Sequence, residues 1–295
     1  MTPGMWTVSI AFTLVAIVAL ALNLIPAYRT SRATTLGKSV GLAVPAELSS
    51  ALAARLTRRS LITWLGSLLG LAAVVAAVHL GVVTSSGEPS NASDVWLIAG
   101  GIVIGIAAGA VVNALAFKSV IPTGERFARS GAVAVNDYLA PIDLVGSRVA
   151  VIIGALTLLA WTIISTGPTF TVGTITIMLA ICSLAFFEFA TRRILERGQP
   201  VASPAELAWD DALRAMSMRS TATAPMCLGI WGTLAVCIDL ARIATSDAAF
   251  TTAVAAGVVV FVAIFIAAAV SIATKPQQHY LRRLWPDIAR TPKAA

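Results

Sequence analysis

Residues 95–117 read VWLIAGGIVIGIAAGAVVNALAF, an unbroken apolar run without a charged side chain. A hydrocarbon core of roughly 30 Å is crossed by about 20 such residues in helical form. The run lacks the alternation of a barrel strand, and backbone groups in lipid must be satisfied within the segment, so it predicts a membrane-spanning helix. Gly101, Gly105 and Gly109 recur every four residues, and Asn113 continues the row. Small residues at this spacing share one helix face and let a neighbouring backbone approach closely, where Asn can add an interhelical hydrogen bond. Gly66 and Gly70 form a shorter row in the apolar run before it.

Six more runs pass the same test, so the predicted spans are about 5–25, 61–83, 95–117, 149–166, 171–190, 226–245 and 249–273. The fold class expected is an all-α membrane protein, a seven-transmembrane-helix bundle. Composition agrees: of 295 residues, 58% are hydrophobic and 12% charged, and the mean hydropathy is +0.87. A soluble domain carries about 25% charged residues. The first span lacks a basic residue on its N-terminal side and is followed by arginines, which predicts a retained span instead of a cleaved signal peptide.

The net charge is +7, and its distribution predicts orientation. Loops 26–60, 118–148 and 191–225 and the tail from 274 hold 20 of the 21 Lys and Arg residues, leaving only Arg242 near the other side. Basic loops stay in the cytoplasm, so the N-terminus is expected outside and the C-terminus in the cytoplasm. With the nine acids of those segments, the cytoplasmic side carries +11. Because this charge is spread over four segments without a nucleic-acid motif, nucleic acid is not an expected partner. Membrane lipids are, including anionic lipid at the cytoplasmic face.

A short repeat divides the chain. Pro45-Ala46-Glu47-Leu48 recurs as Pro204-Ala205-Glu206-Leu207, and the stretches that follow end in Arg59-Ser60 and Arg219-Ser220. This predicts a 3+1+3 parallel repeat: a first three-helix unit (1–117), a cytoplasmic loop and connector span (118–170), a second three-helix unit (171–273), and a cytoplasmic tail (274–295). The plan resembles SWEET-type sugar transporters in topology alone; the Pro-Gln of this chain, Pro276-Gln277, falls after the last span. Leu48, Leu52 and Leu56 form an i, i+4 stripe beside Arg55 and Arg59, which predicts an amphipathic helix at the cytoplasmic interface. Tyr280, Leu284 and Ile288 repeat the device in the tail. Ser203-Pro204-Ala205-Glu206 is a capping box. All thirteen prolines are expected outside the spans or at their edges.

Ionisable and polar groups within spans are candidates for function. They are His79, Asn113, Glu188, Asp239 and Arg242. Asp239 and Arg242 are three apart and can pair on one helix face. In the repeat alignment His79 and Asp239 each lie 19 residues beyond their serines, Ser60 and Ser220, so the two are expected at equivalent places near the outer mouth. Catalytic chemistry is not predicted: there is no nucleophile, phosphate-loop or metalloprotease motif, and no metal or cofactor is expected. Asp210-Asp211 is similar to the paired acids of metal-dependent lipid-phosphate enzymes, but the further spaced Asp is missing, and a solvated helix face is the expected reading.

Leu42-Ala43-Val44-Pro45-Ala46-Glu47-Leu48 and Asn136-Asp137-Tyr138-Leu139-Ala140-Pro141 resemble uncharacterised multi-spanning actinobacterial membrane proteins. The resemblance covers a small part of the chain. It implies a bacterial plasma membrane (inner membrane) and no activity. The expected function is a non-enzymatic multi-pass subunit or accessory that meets a cytoplasmic or membrane protein partner through its basic face. The alternative is a small-solute or proton-linked transporter built from two parallel three-helix repeats.

Overall fold

The computed structural model describes residues 3–81, 92–116, 133–164, 171–199, 201, 203–243 and 274–287, with scattered positions between 250 and 273. Among them the fold is all-α, without strands. Six helices are long and apolar enough to cross a membrane: α1 (Pro3–Leu22), α3 (Ala46–His79), α4 (Ala92–Ala116), α6 (Pro141–Ile164), α7 (Val172–Glu196) and α8 (Pro204–Ile243). Shorter α2 (Pro26–Val40), α5 (Val135–Tyr138) and α9 (His279–Leu284), the last preceded by a 3-10 turn at Pro276–Gln278, complete the described elements. The predicted seventh span, 249–273, lies largely outside the described residues.

Five of the six long helices are longer than the apolar runs that announced them; α1 instead stops at Leu22, short of the predicted end at 25. The 34 residues of α3 extend about 51 Å and the 40 of α8 about 60 Å, against the roughly 30 Å of a hydrocarbon core. Their extra turns come first, at 46–60 and 204–225. Spans 61–83 and 226–245 are thus the second parts of continuous helices. Hydropathy sees only the apolar part, whereas Ala, Leu, Glu and Arg in the preceding turns are good helix formers and nothing stops the helix at the boundary. Pro225, expected at a span edge, is buried inside α8. It withholds one backbone N–H from the helix ladder. The connector helix likewise begins at Pro141, well before 149, and α7 runs on to Glu196.

The first turns of α3 and α8 are therefore arms, and the leucine stripe serves a different surface from the one predicted. Leu52 and Leu56 are buried against protein, in the largest apolar cluster among the described residues, with Ala33 and Val40 of α2, Phe187 and Ile194 of α7, Trp209 and Met218 of α8, and Tyr280 and Leu281 of α9. This cluster forms a layer at the end of the bundle where the basic segments gather. Polar contacts close it. Trp209 Nε1 donates to Ala43 O (3.1 Å), Gln278 Nε2 donates to Ser39 O (3.0 Å), and His279 Nε2 lies 2.9 Å from Asn136 O. Gly41, at φ +81°, ends α2 in the left-handed conformation that glycine tolerates.

Beyond the layer, α3 packs along α4, while α6 and α7 pack along α8; α4 joins the two groups by packing on α8. The glycine rows face one another across the α3–α4 contact. A Cβ on Gly70 would stand 2.0 Å from Gly101 O, and one on Gly66 would stand 2.3 Å from Gly105 O. Leu14, Ile17 and Val18 of α1, Leu65 and Leu69 of α3 and Ile152, Leu156 and Leu159 of α6 are exposed on the outside of the bundle. An apolar belt of that kind suits lipid and is disfavoured in water.

Candidate functional site: an arginine-lined cavity at the basic end

Arg55, Arg58 and Arg59 follow the i, i+3, i+4 spacing that places side chains together on one helix face. On the arm of α3 they form one wall of a cavity of about 290 Å³. Among the described residues, Arg214 on the arm of α8 and Arg197, just after α7, bring the arginines in the wall to five, against one carboxylate, Asp210. Asn113 and Ala114, in the last turns of α4, close it towards the apolar part of the bundle. The two arms contribute in register: Arg55 follows Glu47 by eight positions and Arg214 follows Glu206 by eight.

The partners of these arginines are mostly neutral. Arg59, 8% exposed, donates to Leu213 O and to Ser217 Oγ, both at 2.9 Å. Burial, reinforced by the charge of Arg32, pulls its guanidinium down to about 10, which leaves it charged at neutral pH. Arg58 is also lowered, by burial and then by Arg55. Arg197 donates to Ala114 O. Arg214 donates to Arg197 O (2.7 Å) and Gly198 O (3.3 Å), and it pairs with Asp210 (3.2 Å). Arg55 pairs with Glu206 at 3.0 Å, which ties one arm to the other. Ser203 Oγ accepts the Glu206 N–H (3.2 Å), half of the predicted capping box.

Asp211 does not lie on a solvated face. It is fully buried, and its carboxylate accepts from Tyr138 Oη (2.8 Å), Gln199 Nε2 (2.9 Å) and Trp285 Nε1 (3.0 Å). Gln199 also donates to Asp210 at 2.8 Å. The pair of acids thus reads as a structural hub: Asp210 faces the cavity, and Asp211 fastens α5 and the tail to α8. Tyr280 is buried nearby without a hydrogen-bond partner for its hydroxyl. Burial first, and the Asp211 charge second, push that hydroxyl well above the usual tyrosine range.

The five polar residues picked from the spans are scattered. His79 is exposed at the end of α3. Asp239 lies beside Thr171 at the start of α7 and in the field of Arg242 on its own helix, and no described hydrogen bond joins it to His79. Glu188 pairs with Arg148 of α6 at 2.7 Å, with both side chains partly exposed. Asn113 alone reaches the cavity, where its Oδ1 is buried without a hydrogen-bond partner.

Sequence reading placed Arg55 and Arg59 beside a leucine stripe but did not join them to Arg197 and Arg214. The i, i+3, i+4 spacing of Arg55, Arg58 and Arg59 was the available signal. The rest of the wall comes together only when α4, α7 and α8 meet. No protein-family model, curated protein or solved structure matches the chain.

Proposed function

We propose that the chain is an integral multi-pass protein of a bacterial plasma membrane, crossing it seven times with the basic end in the cytoplasm, and that it acts there as a non-enzymatic subunit or accessory. The observation that carries this reading is the basic layer itself: the principal apolar core among the described residues and the arginine-lined cavity are built mainly from the arms, α2 and the tail, joined by the ends of α4 and α7. Return of the tail supports the seventh crossing. The chain leaves the layer along α8, whose last turn at Ile243 is about 48 Å from Asp211 at the helical rise, yet Trp285 is hydrogen-bonded to Asp211. Residues 244–273 have to cover that distance, and they contain the apolar run 249–273. Lys and Arg in all four basic segments then fall on the side where basic loops remain.

Purification of the full chain in mild detergent, after crosslinking in membranes, tests the subunit role. Recovery of the same protein partner, lost on charge reversal of the exposed arginines Arg192 and Arg193, is the expected result. A monomer recovered alone under several detergents removes the subunit reading.

A further inference from the structure

We infer that the arginine-lined cavity is a binding site for a phosphomonoester, the end group shared by phosphatidic-acid-type lipid headgroups and by small soluble organic phosphates. This rests on the proposed function, since it supplies a ligand for the same basic end.

Charge makes the first argument. Among the described residues five guanidiniums and one carboxylate line the cavity, and Glu206 pairs with Arg55 at its edge; the positive balance favours an anion there, most of all beside a guanidinium that is withdrawn from water. Arg59 is the most demanding: it is buried, and its described acceptors are a carbonyl and a hydroxyl. A phosphomonoester carries about −1.5 to −2 at pH 7, which matches this excess better than the single charge of a phosphodiester or carboxylate. The planar donor fork of Arg suits phosphoryl oxygens.

Asn113 makes the second argument. Its buried Oδ1 is without a partner in the cavity wall, and leaving such a group unmet costs about 1–3 kcal/mol. A ligand hydroxyl can donate to it; with the amide turned over, the NH2 group can donate to a phosphoryl oxygen. Position makes the third. Asn113 lies in the last turns of the apolar helix α4 and Arg59 immediately precedes the apolar part of α3, so the cavity lies at the depth of lipid headgroups. Its volume of about 290 Å³, at the lower end of the small-molecule range of about 300–1,000 Å³, accommodates a phosphorylated glycerol-sized group.

The test uses the full chain in phosphatidylcholine nanodiscs, with glycerol 3-phosphate titrated calorimetrically, and in parallel native mass spectrometry of detergent-solubilised protein offered equal phosphatidic acid and phosphatidylcholine. Binding of glycerol 3-phosphate assigns a soluble source; selective retention of phosphatidic acid assigns a lipid source; either supports the site. Arg58→Gln, at an exposed position, is expected to weaken binding at least about tenfold, the loss of one charge-assisted hydrogen bond, while Arg148→Gln, remote from the cavity, leaves it unchanged. Arg59→Gln is expected to abolish binding; should that chain fail to fold, Arg58→Gln still decides. Failure of both ligands to bind the wild type, or equal binding by Arg58→Gln and the wild type, overturns the inference. A crosslinked partner captured by a protein that binds neither ligand would remove this site and leave the proposed function standing; phosphate binding without any partner would do the reverse.

Discussion

Trp285 donates its indole N–H to Asp211 at 3.0 Å across 74 residues of sequence, and so the C-terminal segment is locked to the arm of α8. The same carboxylate holds Tyr138 and Gln199. Replacing Asp211 by Ala leaves these buried donors without their acceptor, at about 1–3 kcal/mol for each. The Asp211→Ala chain should lose at least about 3 kcal/mol of stability, with the tail becoming susceptible to limited proteolysis before the rest. A Tm within one degree of wild type and an equally protected tail would contradict the hub.

Two buried tyrosines should respond in opposite ways. Tyr138→Phe removes a hydroxyl that donates to Asp211 and is expected to destabilise by about 1 kcal/mol. Tyr280→Phe removes a buried hydroxyl without a partner and should be neutral or slightly stabilising. Thermal denaturation of the two variants side by side checks the sign of the difference.

Tyr280 also predicts an alkaline weakness. Its folded pKa is raised above the ordinary value of 10.0 by burial and by Asp211, so the folded state favours the neutral phenol. The stabilisation is complete below that ordinary value and declines as pH rises past it, because the unfolded chain ionises first. The fall in Tm above pH 10 should be shallower in Tyr280→Phe than in the wild type. Identical alkaline slopes would show that the residue is not enclosed.

The α3–α4 seam is the most exacting place in the bundle. Gly70→Ala would put a methyl group 2.0 Å from Gly101 O, and backbone cannot yield as a side-chain tip can. A loss of about 3 kcal/mol or more is expected, comparable with overpacking elsewhere. Gly198→Ala, whose added Cβ meets nothing within 4 Å, should stay within about 0.5 kcal/mol. Unfolding in mixed micelles would compare them directly.

Topology gives a separate check on the proposed orientation. Reporters fused after Ala295 should be active only where cytoplasmic folding is required, and labels placed at Thr2 should be accessible from outside. Accessibility of both ends from one face would remove the seventh crossing.

Much of the membrane-crossing architecture is legible in apolar runs, because a run such as 95–117 has few physical alternatives. The glycine rows are legible too, since four-residue spacing fixes the face they share. The arms are not, because hydropathy falls away at Ser60 and Pro225 while helix propensity persists. A hydropathy profile therefore separates what the backbone leaves continuous. Asp211 was misread for a different reason: two of its three described partners lie 73 and 74 residues away, so neighbouring residues say nothing of its burial. The cavity had the same obscurity. Two of its arginines, Arg55 and Arg59, are legible beside the leucine stripe, and Arg58 shares their helix face by spacing, while the remaining two arrive from α8 and the segment after α7.

The continuity of α3 gives the arms a mechanical meaning. With no proline within its 34 residues, the helix behaves as a stiff rod with a fulcrum at the Gly66–Gly105 contact. From that fulcrum to the arm's tip at Ala46 is about 30 Å, so a tilt of about ten degrees sweeps the tip through about 5 Å. In α8 the missing backbone bond at Pro225 provides a place to bend, so the same tilt is transmitted less faithfully there. A change in bilayer thickness, which helices answer by tilting, would thus shear one wall of arginines past the other.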